Sequence, residues 1–89
     1  MNFRPTSRAE LGATLLALST LNPESPKMAR TLALKCAVLA RRIAEDPALA
    51  GPVPEIVWHF LSDVDIRFKD IDYARQQSAR LVESLRSWN

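Results

Sequence analysis

The sequence predicts an all-α protein, a compact four-helix bundle with short proline-rich connections. Apolar residues recur every three or four positions through most of the 89 residues, a spacing typical of amphipathic helices. Prolines cluster between these segments, in residues 22–26 and 46–54, where they interrupt helices. No alternating apolar and polar run bounded by turn residues favours a β-strand. A chain of this length makes one domain, residues 1–89.

The predicted helices begin at recognisable capping residues. They span residues 8–21, 26–45, 54–69 and 71–88. The stretch from Ser7 to Glu10 has the pattern of a capping box, and Ser25 precedes a proline in the first turn of the second helix. Asp70 can cap the fourth helix and so break it from the third. A single straight rod through both would be about 52 Å long, too long for a compact chain of this size.

Each predicted helix carries an apolar stripe that indicates a core face. These stripes comprise Leu11, Leu15 and Leu18; Met28, Leu32, Cys36, Leu39 and Ile43; Val57, Phe60, Leu61, Val64 and Phe68; and Ile71, Ala74, Leu81, Leu85 and Trp88. The apolar circumference of the second helix is wide, which predicts a central, buried position. In the third helix, Asp63–Arg67 and Asp65–Lys69 are predicted ion pairs at i,i+4 spacing.

Two groups of apolar residues fall outside these core faces. Trp58 and Ile66 lie on a second side of the third helix, with His59 and Ser62 around them, an apolar centre with a polar rim that is typical of protein interfaces. The alternative is that the 48–54 connection, or the N-terminal arm with Phe3, covers Trp58.

Leu34 and Val38 form the second group, on the basic side of the second helix. Cover by another helix of the same chain is the favoured explanation for this pair. If it is left uncovered, the pair becomes part of a protein-binding surface.

Charge is segregated along the chain, although the net charge is only +2. Residues 1–44 carry seven basic and two acidic side chains, whereas residues 45–72 carry two basic and seven acidic ones. One explanation is a basic patch of Lys27, Arg30, Arg41 and Arg42 that binds nucleic acid phosphates. The other is a charge dipole that aligns two copies of the chain, or one copy with an oppositely charged protein.

The residues that could carry chemistry are few and isolated. His59 is a candidate general base, but no oxyanion hole or glycine-rich elbow accompanies it. Cys36 falls on a core stripe, which favours a buried thiol. The acidic residues between Asp63 and Asp72 lack the spacing of a calcium loop, so helix capping and pairing explain them better. We therefore expect neither a catalytic site nor a metal or cofactor site.

These observations favour a small non-enzymatic helical module that binds another protein or a second copy of itself, as a homodimer. A composition rich in arginine, alanine and leucine suggests a bacterial genome, and we expect the module to act as a regulator or adaptor. A nucleic-acid-binding regulator is the alternative, and an enzyme with His59 as base is a weaker one. The apolar run from Leu11 to Leu21 is too short to cross a bilayer, and a single cysteine fits a reducing compartment. We expect a cytoplasmic protein with no membrane partner.

Overall fold

The computed structural model describes residues 1–51 and 53–88, apart from the side chain of Ala50. Pro52, in the second predicted connection, and Asn89, at the end of the predicted domain, lie outside the described residues. Within the described part there are six helices and no strand, so the all-α prediction is confirmed. The helices are α1 (Arg8–Ser19), α2 (Pro26–Glu45), α3 (Pro47–Ala50), α4 (Glu55–Ser62), α5 (Val64–Lys69) and α6 (Ile71–Trp88).

Side-chain caps begin three of the long helices where the sequence predicts them. In each cap, a backbone amide donates to a side-chain oxygen at a distance of 3.1 Å. The donor and acceptor are Glu10 and Ser7 in the first cap, Met28 and Ser25 in the second, and Tyr73 and Asp70 in the third. The second half of the capping box is different, because the Glu10 carboxylate accepts from the Thr6 amide at 2.8 Å and not from Ser7. Helix α1 ends at Ser19, two residues earlier than predicted.

The segment predicted as one helix over residues 54–69 is divided at Asp63, which has non-helical backbone angles of φ −102° and ψ 24°. A second break follows at Asp70, whose backbone is extended. The predicted separation before α6 is therefore confirmed. A continuous helix over residues 55–88 would be about 51 Å long, whereas the longest dimension of the molecule is 35 Å. The two breaks allow the chain to fold back on itself.

A short helix occupies the second proline-rich connection. The Asp46 carboxylate accepts a hydrogen bond from the Leu49 amide at 3.0 Å and so caps α3. The helix ends at Gly51, whose φ of +58° is a conformation that glycine adopts without strain.

Helices α4 and α5 lie between α2 and α6, and α1 packs against α6. Twelve residues from all five of these helices form the core: Leu11, Leu15, Leu18, Cys36, Leu39, Ile43, Val57, Phe60, Leu61, Val64, Leu81 and Leu85. All twelve come from predicted apolar stripes or their immediate extension. Two other residues of the predicted stripes, Met28 and Ile71, are not in the core, since each is at least half exposed.

Helix α2 lies at the edge of the bundle, so the prediction of a central, buried helix was wrong. One face of α2 packs on α4 and α5, while Met28, Leu34 and Val38 are exposed to 50%, 70% and 39%. The physical reason is that α1 buries its apolar face against α6 and leaves the far side of α2 without a neighbouring helix.

Candidate protein-binding surface

The outer face of α2 carries the most exposed large apolar side chain among the described residues. Leu34 is 70% exposed, and Val38, one turn further along, is 39% exposed. Around the helix axis each lies about 160° from Cys36, which is fully buried. The sequence favoured a second helix of the same chain as the cover for this pair, but none of the described helices covers it. Leu34 and Val38 therefore form an apolar stripe on the surface.

Of the four residues predicted as a basic patch, two are engaged by acidic neighbours. Arg41 pairs with Glu45 at 2.8 Å. Arg42 pairs with Asp46 at 3.2 Å and also donates to the carbonyl of Pro5 at 3.2 Å.

Lys27 and Arg30 are different, because no carboxylate within the described residues lies within 4.0 Å of either. Lys27 and Arg41 are separated by about 21 Å along the helix axis. Arg42 points to the side of α2 that holds the N-terminal arm. The four cations therefore do not form a compact patch. They are spread along α2, and Arg42 points to a different side of the helix from the other three.

Trp58 and Ile66 are both on the surface, exposed to 37% and 48%. The break at Asp63 places them on separate helices, so the single helical wheel assumed for them from the sequence does not apply. Phe3 packs beside α2, in the groove that also contains Leu21 and Met28. The N-terminal arm is thus not the cover predicted for Trp58.

His59 is separated from Trp58 on the surface of α4. It lines an open cleft with Ile56 of the same helix and Arg80 of α6, so it faces α6. Trp58 lies about 100° around the helix from it and does not line this cleft. The predicted surface is therefore divided, because His59 belongs to a cleft that Trp58 does not line.

The hydrogen bonds of His59 and Ser62 do not connect these two residues. The Ser62 hydroxyl donates to the Trp58 carbonyl of its own helix at 2.6 Å. The His59 Nε2 atom lies 3.6 Å from the Glu55 carboxylate, and both side chains are exposed. A nucleophile activated by His59 needs a hydrogen bond between the two, and Ser62 makes none to it.

A polar cluster that sequence reasoning missed joins α4, α5 and α6. The Asp63 carboxylate accepts hydrogen bonds from the Tyr73 hydroxyl at 2.7 Å and from the Gln77 amide at 2.8 Å. Arg67 donates to the Gln77 side-chain oxygen at 2.5 Å and to the Phe60 carbonyl. The predicted Asp63–Arg67 ion pair is wrong because both side chains reach across to α6 instead. By contrast, Lys69 and Asp65 form their predicted pair at 3.2 Å.

The cluster shifts the acidity of its members. Burial opposes the ionisation of Asp63, but hydrogen bonds from Tyr73 and Gln77, helped by the charge of Arg67, outweigh it and lower the pKa of Asp63. The hydrogen bond between Tyr73 and Asp63 raises the pKa of Tyr73. Burial raises the pKa of the nearby Cys36 thiol, against the opposing charge of Arg67. A neutral, fully buried thiol is a poor nucleophile.

Among the described residues, no three His, Cys, Asp or Glu side chains are grouped closely enough to hold a metal ion. In the same part of the chain, no helix combines the length and apolar character needed to cross a membrane.

Comparison with protein-family models, with curated proteins and with solved structures gave no match to this chain. Its function is therefore inferred from its own surface chemistry.

Proposed function

We propose that this chain is a small, non-enzymatic helical module that binds protein, as a regulator or adaptor, and that its partner is a second copy of itself. The observation that carries the proposal is the exposure of Leu34, 70% in the middle of a 20-residue helix. Val38 extends the apolar stripe by one turn. Contiguous exposed apolar surface on a small soluble domain marks an interaction site more often than chance.

The charges around this stripe support a second copy as the partner. Lys27 and Arg30 flank Leu34 without acidic partners among the described residues. Residues 45–72, which include α4 and α5, carry the acidic excess of the chain. A two-fold axis would then set the basic, apolar face of each α2 against acidic residues of the other copy, of which Asp70 and Asp72, at the start of α6, are exposed.

The size of the chain also supports association. A domain of fewer than 90 residues buries only about 60–65% of its unfolded surface, so its stability margin is small. A dimer interface on this stripe would remove Leu34 and Val38 from water and add apolar burial that the isolated chain lacks. The lack of a hydrogen bond between His59 and Ser62 favours this binding role over hydrolysis.

The observation that favours nucleic acid as a second candidate is that two members of the predicted basic patch, Lys27 and Arg30, have no carboxylate within 4.0 Å among the described residues. Two phosphate contacts are few, since specific DNA-binding proteins typically neutralise several phosphates. Arg41 and Arg42 would first have to leave Glu45 and Asp46. For this reason we place nucleic acid second.

The test is the mass of the protein in solution by light scattering, from about 1 μM to 1 mM. We expect the wild type to dimerise and Leu34→Glu to weaken the dimer by about 2 kcal/mol, roughly thirtyfold in Kd. Leu16→Glu is the matched control, because Leu16 is also exposed, to 45%, but lies on α1. The proposal fails if the wild type stays monomeric, or if both variants weaken the dimer equally. A mass increase only after addition of duplex DNA would favour the nucleic-acid alternative.

A further inference from the structure

An apolar groove that adjoins the proposed dimer face, and shares Lys27 with it, lies between the N-terminal arm, the α1–α2 connection and the first half of α2. Its volume is about 380 Å³, within the range of roughly 300–1,000 Å³ that small-molecule sites occupy. The lining is almost entirely apolar and includes two methionines, which adapt their shape to a ligand. The main apolar residues are Met1, Phe3, Leu21, Met28 and Leu32.

The groove is formed before any ligand arrives, because the arm is fixed in place. The Thr14 hydroxyl donates to the Asn2 carbonyl at 2.8 Å, and the Arg4 amide donates to the Asn2 side chain at 2.9 Å. Pro5 is fully buried, and its carbonyl accepts a hydrogen bond from Arg42. A preformed site loses less conformational entropy on binding than a flexible one.

The charged side chains that line the groove are both positive. They are Lys27 and Lys35, about 12 Å apart along α2. Neither lies within 4.0 Å of a carboxylate in the described residues. The Lys35 ammonium lies over the Phe3 ring, 5.8 Å from its centroid, and this contact holds the cation at the edge of the apolar floor. A ligand that fits must be apolar over most of its length and anionic at one end.

We infer that this groove binds a free medium-chain fatty acid. The acyl chain lies along Phe3, Met28 and Leu32, and the carboxylate pairs with Lys35. The limited volume, closed on two sides by the arm and by the α1–α2 connection, suits one acyl chain better than a protein surface, which needs about 800 Å² on each partner. This inference does not depend on the proposed dimer.

Isothermal titration calorimetry with sodium dodecanoate, kept below its micelle-forming concentration, tests the inference. We expect one molecule to bind each chain. Decanoate should bind roughly tenfold more weakly, because it buries two fewer methylenes. Lys35→Glu should weaken dodecanoate binding at least tenfold, whereas Lys69→Glu, on the exposed part of α5, should leave it unchanged. Met28→Gln should also weaken binding, since Met28 is half exposed and its replacement does not disturb the core.

Four outcomes would overturn the inference. The first is no binding of dodecanoate at millimolar concentration. The second is equal binding of dodecanol or dodecyltrimethylammonium, which would remove the role of the lysine. The third is an equal effect of Lys35→Glu and Lys69→Glu. The fourth is loss of binding as the protein is concentrated into dimers, which would assign the groove to the second copy.

Discussion

The guanidinium carbon of Arg67 lies 3.7 Å from the centroid of the Phe60 ring. Arg67 is on α5 and Phe60 on α4, so this contact spans the break at Asp63. The same guanidinium donates to the Phe60 carbonyl and to Gln77 of α6. One side chain thus fixes the relative position of three helices.

Arg67→Met should destabilise the protein by about 2–3 kcal/mol. Methionine keeps the aliphatic stem but loses the stacking interaction and leaves the Phe60 carbonyl and the Gln77 oxygen without their donor. Arg75→Met is the control at an exposed site on α6, where we expect less than about 0.5 kcal/mol. Urea unfolding followed by circular dichroism measures both. If Arg67→Met and Arg75→Met lower the free energy of unfolding by the same amount, the contacts of Arg67 contribute nothing beyond helix propensity.

Tyr73→Phe should lower the stability in a pH-dependent way. The variant removes one donor to Asp63 and so raises the pKa of that carboxyl toward its ordinary value near 3.9. Because the pKa of Asp63 is lowered in the folded state, its stabilising contribution is complete above the unfolded pKa and is lost as the pH falls through the folded value. The variant should be less stable than wild type at pH 7, and this difference should shrink below about pH 4.

Urea unfolding at pH 7, 5 and 3, together with an NMR titration of the Asp63 carboxyl, measures this effect. If the difference in the free energy of unfolding between Tyr73→Phe and wild type stays constant over this pH range, the stabilising contribution of Tyr73 does not depend on the ionisation of Asp63.

Leu39→Ala and Leu34→Ala should differ strongly in their effect on monomer stability. Leu39 is fully buried in the core, so its truncation removes apolar contact and leaves a cavity, at a cost of about 2–5 kcal/mol. Leu34 is 70% exposed, so its truncation should cost less than about 0.5 kcal/mol. Denaturant melts at low micromolar concentration, where association is weak, compare the two. Similar costs would contradict the assignment of Leu34 to the surface.

Association of the proposed dimer should weaken as salt is raised from about 0.05 M to 0.5 M, because the screening length falls from roughly 14 Å to 4 Å. Arg30→Glu should weaken association at low salt, whereas Arg75→Glu, with the same charge change on α6, should have little effect. Light scattering at each salt concentration gives the Kd. A dimer that ignores both salt and Arg30→Glu would depend on apolar contacts alone.

Most of the core could be predicted from the sequence because helical periodicity is a local property. Leu11, Leu15 and Leu18 are spaced to share one face whatever that face contacts. The caps at Ser7, Ser25 and Asp70 were predictable for the same reason. Each cap joins residues three positions apart.

The surface was harder to predict because it depends on which helices become neighbours. Leu34 is exposed because the helices that pack on α2, mainly α4 and α5, contact its opposite face, and no short-range pattern specifies which helices become neighbours. Asp63 likewise reaches Tyr73 and Gln77, ten and fourteen residues away, although its sequence neighbours predicted a pair with Arg67. The break at Asp63 accompanies these long-range hydrogen bonds, and the i,i+4 pattern gave no sign of it.

The packing of α1 against α6 has a consequence for synthesis on the ribosome. Leu11, Leu15 and Leu18 leave the ribosome early, but the helix that covers them is residues 71–88. At about 5–20 residues per second, synthesis from Leu18 to the end of α6 takes roughly 4–14 s, during which the nascent chain carries these leucines without that cover. Stable burial of α1 is thus a late event, and until α6 is made this segment is the part of the nascent chain with most reason to engage a chaperone.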